Sequence, residues 1–243
     1  MKFAILAAGE GSRLAQEGIE LPKPLVRLLG EPMLDRLIRV FMSNGASEIV
    51  LITNNLTPLT QEHVRQLQAQ GLPLRMVVRT TPSSMHSFHA LRPLLGEGRF
   101  CLTTVDTVFR EDEFADYVRT FAEAPAELDG LMAVTDYVDD ERPLWLSTDE
   151  TLRVTGFHDT PPTGRPEGAK YISGGIYGLS HTAFPTLDRC IEQGQSRMRN
   201  FQRALVADGL HLQAWPFSKI LDVDHASDIA KAEEFLSQSR AAS

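Results

Sequence analysis

The stretch that decides the fold lies at the N-terminus and reads Phe3-Ala4-Ile5-Leu6-Ala7-Ala8-Gly9-Glu10-Gly11-Ser12-Arg13-Leu14. Its first part is a continuous apolar run closed by Gly9, which predicts a strand buried on both faces. The glycines of the next part can adopt positive φ and let a ligand approach the main chain closely. Successive N–H groups in such a loop form a concavity that binds anions, and Arg13 adds a planar guanidinium suited to phosphate oxygens. The stretch therefore predicts a strand followed by an anion-binding turn.

The turn matches neither of two common phosphate-binding motifs. The third glycine of the dinucleotide-binding fingerprint is missing, and no Gly-Lys-Ser or Gly-Lys-Thr of a P-loop follows. An ordinary tight turn is the alternative interpretation of such a glycine pair. A few residues later, Lys23 stands in Leu21-Pro22-Lys23-Pro24-Leu25-Val26, where two prolines stiffen the backbone around it. A lysine held in this way is a candidate point charge for a phosphate, and a solvated loop lysine is the alternative.

The rest of the first half alternates short apolar runs with helical periods. Strands are predicted at 48–53, 74–80 and 100–105, and helices at 31–44, 57–70 and 83–95. This alternation predicts an α/β fold with a mostly parallel sheet and helices on both faces. The second half predicts a strand at 130–138, a pair of strands within 144–157, strands at 171–179 and 212–223, helices at 110–124, 182–193, 197–208 and 226–239, and a loop rich in proline and glycine at 160–168. We expect one domain over 1–243 whose second half is partly antiparallel.

Composition excludes several classes of protein. Of the 243 residues, 42% are hydrophobic and 23% are charged, which is typical of soluble globular domains. The net charge of −8 disfavours a nucleic-acid backbone as the main partner, and no apolar run reaches the roughly 20 residues that span a bilayer. Cys101 and Cys190 form no disulfide framework. We expect a cytoplasmic protein without nucleic-acid or membrane partners, and the oligomeric state, a homo-oligomer included, stays open.

Together, the opening motifs resemble the N-terminal signature of nucleotidyltransferases that act on sugar phosphates and related alcohol phosphates. That signature reads Leu-Ala-Ala-Gly-x-Gly-Ser/Thr-Arg and then Pro-Lys-x-Leu, and it corresponds here to Leu6–Arg13 and Pro22–Leu25. The resemblance implies a Rossmann-like mixed sheet. It also implies magnesium-dependent transfer of a nucleoside monophosphate from a nucleoside triphosphate to a phosphorylated acceptor, with release of pyrophosphate. The chain would then divide into a nucleotide-binding half at about 1–125, an acceptor-binding half at about 126–224 and a closing helix at 225–240.

The same resemblance assigns roles to individual residues. Arg13 and Lys23 would be catalytic, stabilising charge around the reacting phosphate. The nucleotide would contact the turn and the start of the helix at 83–95, through Ala7, Ala8, Gly9, Gly11, Ser12, Arg13, Ser83 and Ser84. The two serines can offer hydroxyl groups and helix N-terminal N–H groups to an anion or a base edge. Relatives carry a Gly-Thr-Ala-like segment there. This chain lacks its glycine, so the identity of the nucleotide base stays open.

Carboxylates for a magnesium ion come from the middle and the end of the chain. Asp106 follows the strand predicted at 100–105, at the edge where open α/β sheets bind ligands. Magnesium takes one or two carboxylates together with phosphates and water. The family has Gly-Asp-x-x-Phe at this place and this chain has Val105-Asp106-Thr107-Val108-Phe109, although an aspartate that caps the next helix is the alternative. The second ligand is expected from Asp222 and Asp224, which would face one side of a strand, and we favour Asp224.

The acceptor side departs from the family pattern. The family segment Gly-Phe-x-Glu-Lys-Pro begins here as Gly156-Phe157 but continues with His158-Asp159-Thr160-Pro161, so its lysine is missing. Lys170 is the candidate replacement, and the strand at 171–179 brings Gly175 and Tyr177 as acceptor-binding residues; Arg197 and Arg199 are further cations that could reach an acceptor. The acceptor stays open among a sugar 1-phosphate, a phosphocholine-like molecule and a phosphonate. A nucleotide-binding regulatory module without turnover, and guanylyl transfer to a molybdenum cofactor, are the alternative functions.

Overall fold

The computed structural model describes residues 1–162 and 170–241. Residues 163–168 of the predicted loop therefore lie outside the described residues. The strands and helices, in chain order, are β1 (Lys2–Ala7), α1 (Ser12–Gln16), β2 (Arg27–Leu28), β3 (Glu31–Pro32), α2 (Met33–Ser43), β4 (Glu48–Thr53), α3 (Pro58–Ala69), β5 (Leu74–Val78), α4 (Ser84–Leu95), β6 (Arg99–Thr104), β7 (Thr107–Phe109), α5 (Glu111–Glu123), β8 (Gly130–Thr135), β9 (Trp145–Thr148), β10 (Val154–His158), β11 (Ile172–Ser180), α6 (Phe184–Glu192), α7 (Met198–Ala207), β12 (Leu212–Phe217), β13 (Ile220–Asp222) and α8 (Ala226–Ala241). In this part of the chain, no helix combines the length and the apolar character needed to cross a bilayer.

One large sheet dominates the fold. Its strands follow the order β10-β9-β11-β6-β1-β4-β5, and β8 and β12 extend it from β11. The strands β6, β1, β4 and β5 are parallel, and β12 runs parallel to β8. Only β11 and β10 run against the shared direction of this sheet, because β11 is antiparallel to β6, β8 and β9, and β10 is antiparallel to β9. The predicted α/β fold, with a mostly parallel sheet and a partly antiparallel second half, is confirmed.

Helices cover both faces of the sheet, and β1 shows why its sequence is apolar throughout. Ala4 and Leu6 point into one hydrophobic cluster, which the helices α4, α6 and α7 complete. Phe3 and Ile5 point into the opposite cluster, completed by α2, α3 and α5. A strand buried on both faces needs apolar residues at every position rather than at alternate ones.

A smaller cluster joins the segments that carry the candidate site. Leu14 of α1 and Val26 after the Pro-Lys-Pro segment pack there with Leu221 and Val223, beneath the closing helix α8. Each of these apolar residues lies within three positions of a charged residue singled out above. Their burial therefore fixes the backbone from which those charged side chains project.

The segment predicted as one strand at 212–223 is two strands. The first, β12, joins the large sheet, whereas β13 pairs with β7 in a separate two-stranded sheet. The chain turns at Ser218, whose N–H donates to the Glu113 carboxylate at 3.2 Å. Apolar residues continue on both sides of this turn, so periodicity alone does not reveal the break. The expectation that Asp222 and Asp224 share a strand is wrong, because β13 ends at Asp222.

Candidate active site

Lys23 lies at the centre of the candidate site, between two carboxylates. Its ammonium group is ion-paired with Asp106 and donates to Asp224 Oδ1 at 2.6 Å, and its side chain is only 10% exposed. The flanking prolines form a 3-10 turn closed by a hydrogen bond from Leu25 N–H to the Pro22 carbonyl at 2.8 Å. Burial alone would lower the pKa of Lys23, but the charges of Asp106 and Asp224 raise that pKa above its usual range. Lys23 is thus a fixed positive charge.

Gly11 allows the glycine turn to pack against Lys23. Its φ is +63°, a left-handed conformation that glycine adopts without strain. A Cβ atom at this position would lie 2.9 Å from the Cβ atom of Lys23, which is too close for an ordinary contact. The glycine in the motif therefore serves both the turn and the approach of the lysine.

Asp106 and Asp222 come together because β7 pairs with β13. Asp222 stands opposite Thr107 in this pairing, and the Val223 N–H donates to the Asp106 carbonyl at 3.1 Å. Burial by itself would raise the pKa of Asp106, but the Lys23 ammonium holds it below the usual range. Asp222 has no such partner within the described residues and opens into the cleft. Partial loss of hydration, followed by the charge of Asp106, raises its pKa to about 8.

These carboxylates fit a divalent cation. Asp106 Oδ1 is buried and has no hydrogen-bond partner among the described residues. An unpartnered buried carboxylate oxygen beside a second carboxylate that it repels is an arrangement that a bound cation stabilises. No group of three or more His, Cys, Asp or Glu residues in the described chain has the arrangement of a metal site. Magnesium would suit this place, because it keeps phosphate and water ligands beside one or two carboxylates.

Asp224, in contrast to Asp222, is paired with two cationic side chains. Lys23 occupies its Oδ1, and Arg13 Nη1 donates to its Oδ2 at 3.2 Å. The backbone around it is fixed from two sides. Asp228 accepts from the N–H groups of Asp224 and His225, and Glu17 of the segment after α1 accepts from the His225 ring at 2.6 Å. The glycine turn, Lys23 and the end of the chain thus form one connected unit.

Two cavities meet at these residues. The larger, of about 520 Å³, opens at the carboxyl ends of β1 and β6, and its lining includes Ala8, Gly9, Lys23, Asn54, Thr81, Ser83, Ser84 and Asp106. The smaller, of about 320 Å³, has a lining that includes Asp106, Arg142, Ser173, Gly175, Tyr177, Arg197, Arg199, Gln202 and Asp222. Ser84, Thr104 and Asp106 border both. Asp106 therefore stands at the junction of two ligand-sized spaces.

Four of the eight predicted nucleotide residues, Ala8, Gly9, Ser83 and Ser84, line the larger cavity. Ala7, at the end of β1, is not part of this lining and is buried in the cluster that α2, α3 and α5 complete. Arg13 instead borders a third space, of about 240 Å³, together with Asp222 and Asp224. Gly11 and Ser12 are not part of the lining, and Gly11 acts through its contact with Lys23. Ser83 precedes α4, but its hydroxyl group is hydrogen-bonded to His86 Nδ1 at 2.9 Å rather than to the helix backbone.

The residues predicted for the acceptor separate into two groups. Gly175 and Tyr177 line the smaller cavity, as do Arg197 and Arg199. Lys170 lies apart from this lining; it is exposed, and its Nζ atom is 4.9 Å from the centre of the Tyr171 ring. The sequence did not single out Arg142, which also lines the cavity, because it lies in an irregular segment without any motif.

Comparisons with known proteins identify the family of this chain. The family model for nucleotidyl transferase matches residues 2–239. The chain is 31% identical over 156 residues to the bifunctional IPC transferase and DIPP synthase of Thermococcus kodakarensis, a match covering 63% of this chain and 31% of that protein. It is 27% identical over 161 residues to the N-acetylmuramate alpha-1-phosphate uridylyltransferase of Caulobacter vibrioides, covering 64% of this chain and 61% of that protein. The chain therefore spans less than two thirds of the length of these curated relatives.

A solved structure shows the same fold. The inositol-1-phosphate CTP transferase from T. maritima superposes with a TM-score of 0.79, covering 98% of this chain and 96% of that chain at 18% sequence identity. At this identity the match concerns the fold. The family model, by contrast, matches nearly every residue of the sequence. This protein belongs to the nucleotidyl transferase family.

Proposed function

We propose that this protein transfers a nucleoside monophosphate from a nucleoside triphosphate to a small phosphorylated acceptor and releases pyrophosphate. The observation that carries the proposal is the position of the Lys23–Asp106 pair, where the two cavities meet. The glycine turn and two serines line one cavity, and arginines line the other. Two anionic substrates in these cavities would have their reacting phosphates side by side, next to a fixed ammonium group. The names of the curated relatives support this class of reaction.

The chemistry needs positioning and charge stabilisation rather than a covalent intermediate. An oxygen of the acceptor phosphate attacks the α-phosphorus, a new P–O bond forms, and the bond to the bridging oxygen of pyrophosphate breaks. The acceptor phosphate is already ionised near neutral pH, so no base has to remove a proton first. Lys23 stabilises the negative charge on the reacting phosphate oxygens. Arg13, whose side chain is 54% exposed, can add a guanidinium group for the departing pyrophosphate.

A magnesium ion would be held by Asp106 and Asp222. The unpartnered Asp106 Oδ1, and the lack of an ion pair at Asp222 among the described residues, support this pair. When bound, the ion neutralises charge on the triphosphate. Asp224, which the sequence favours over Asp222, is the alternative second ligand, and its engagement by Lys23 and Arg13 argues for a supporting role.

The arginines at the start of α7 would bind the acceptor phosphate in place of the missing family lysine. Arg199 is ion-paired with Asp159 at 2.6 Å and donates to the Arg142 carbonyl at 2.9 Å, which holds its guanidinium at the cavity. Arg197 has no ion pair within the described part of the chain, and its φ of +73° is unusual for a residue other than glycine. Such strain costs about 1–2 kcal/mol and is often kept at functional sites. The Arg197 N–H donates to Ser83 Oγ at 3.3 Å, which links the walls of the two cavities.

A pyrophosphate-release assay tests the proposal. The purified protein is incubated with magnesium and each of CTP, UTP, dTTP, GTP and ATP. Each nucleotide is paired with glucose 1-phosphate, inositol 1-phosphate, phosphocholine or an aminoalkylphosphonate, and products are identified by mass. We expect turnover with at least one pair, and we expect it to fall when Arg197 and Arg199 are both changed to glutamine. Magnesium-dependent binding of a nucleotide, seen as a thermal shift, without turnover on any acceptor would overturn the proposal and favour a regulatory module.

Changing Gly11 to alanine should lower the activity in this assay by at least about tenfold. The new methyl group would press against the Lys23 Cβ atom and move the ammonium group, and small displacements in such sites cost up to about a hundredfold in rate. Gly18→Ala is the matched control, because Gly18 also has positive φ but a methyl group added there would meet no other atom within 4 Å. Both variants should lose stability in thermal melts through the positive φ, and Gly11→Ala should lose more because of the added contact with Lys23. Equal activity of the two variants would contradict the role assigned to the contact with Lys23.

A further inference from the structure

Gln202 is a polar residue at a core position of α7. It is only 2% exposed, and it shares a helix face with the buried residues Met198, Phe201 and Leu205. The Ser173 hydroxyl group of β11 donates to its side-chain oxygen at 2.9 Å. Among the residues that the structure describes, its amide nitrogen has no hydrogen-bond partner. The amide group is therefore a polar exception on a helix face that is otherwise apolar.

Gln202 places its polar amide group in the wall of the smaller cavity, where it can contact a ligand. It lines the smaller cavity together with Ser173, and Arg199 lies one helical turn earlier on α7. An acceptor whose phosphate contacts the arginines would extend over the amide group. The unused N–H donors are then available to an oxygen atom of that molecule.

We propose that Gln202, oriented by Ser173, hydrogen-bonds a hydroxyl group of the acceptor and so selects phosphorylated polyols over phosphorylated alkylammonium compounds. This inference rests on the proposed function above. A hydroxyl oxygen accepts a hydrogen bond from an amide N–H, whereas an ammonium group offers no lone pair. Quaternary ammonium groups are recognised by several aromatic faces, and the described lining of this cavity holds only the aromatic ring of Tyr177. Asp140 and Asp222, also in the lining, can bind either a hydroxyl or an ammonium group, so the discrimination falls to Gln202.

The test compares acceptors in wild type and in Gln202→Leu. Wild type should use glucose 1-phosphate or inositol 1-phosphate at least about tenfold better than phosphocholine, measured as kcat/KM. In Gln202→Leu, kcat/KM for the polyol phosphate should fall about tenfold through the KM of the acceptor, while the KM of the nucleotide and the reaction with phosphocholine do not worsen. One lost hydrogen bond of about 1.4 kcal/mol corresponds to this tenfold effect.

Stability separates a role in binding from a structural one. The leucine variant should melt close to wild type, because it loses the hydrogen bond from Ser173 but gains an apolar side chain at a buried position. Gln66→Leu, on the exposed face of α3, is the matched control and should change neither activity nor acceptor preference. Equal losses with all acceptors, a preference of wild type for phosphocholine, or marked destabilisation of Gln202→Leu would overturn the inference. Absence of turnover by wild type on every acceptor would instead overturn the proposed function itself.

Discussion

Replacing Lys23 with methionine should lower kcat/KM for pyrophosphate release by about a thousandfold and also destabilise the protein. The activity falls because a fixed positive charge beside the reacting phosphate is lost, and single groups of this kind contribute about a hundredfold to a thousandfold. The stability falls because Asp106 would stay in the interior without its counter-ion. Removing one partner of a buried ion pair costs about 3–5 kcal/mol. Methionine keeps the length of the side chain, so loss of packing contributes little.

The double variant Lys23→Met/Asp106→Asn separates these two effects. It removes the carboxylate that Lys23→Met leaves without its counter-ion at position 106, so urea titration should show that most of the lost unfolding free energy returns. Its activity should stay as low as that of Lys23→Met or lower, because both catalytic charges are gone. Lys2→Met is the control: Lys2 is paired with Glu48 at 2.9 Å at the opposite end of β1, where the pair is partly exposed. A double variant that regains activity together with stability would show that Lys23 only supports the fold.

The sequence predicts those parts of the site whose residues lie close to each other or to a strand end along the chain. A parallel sheet brings the ends of β1 and β6 to one edge, since Leu6 pairs with Thr104, and the glycine turn and Asp106 follow directly from these two strands. The motif around Lys23 and the apolar run before Asp106 can therefore be read without a structure. The ends of most helices and strands lie within a few residues of their predicted positions for the same reason.

The remaining parts depend on contacts between distant segments. Gln202 meets Ser173 from 29 residues away, and Asp224 meets Lys23 from 201 residues away. Neither a hydrophobic periodicity nor a turn motif in the sequence encodes contacts between residues so far apart. The same limit applies to the break between β12 and β13, which follows from the pairing of β13 with β7. That break decides which of the two C-terminal carboxylates stands beside Asp106 and which one contacts the lysine.

Asp222→Asn and Asp224→Asn should therefore have different effects. We expect Asp222→Asn to lower kcat/KM at least a hundredfold and to raise the magnesium concentration needed for half-maximal rate, because it removes a ligand. Asp224→Asn should cost about tenfold, with an unchanged magnesium requirement and a lower melting temperature, because it weakens the hold on Lys23 and Arg13. Asp116→Asn, an exposed residue paired with Arg119, is the control and should behave as wild type.

Melting temperatures measured in EDTA give a second, independent signature of Asp222. Loss of hydration and the charge of Asp106 raise the pKa of Asp222 in the folded protein to about 8. In the unfolded chain this carboxyl group ionises near its ordinary pKa of about 4. The unfolded state thus loses its proton first, so Asp222 lowers the stability of the metal-free protein increasingly as pH rises from about 4 to 8. Asp222→Asn should melt above wild type at pH 8.5, and this difference should shrink toward pH 5 and be lost when magnesium is added. If Asp224→Asn showed this pattern and the raised magnesium requirement instead, Asp224 would be the second ligand.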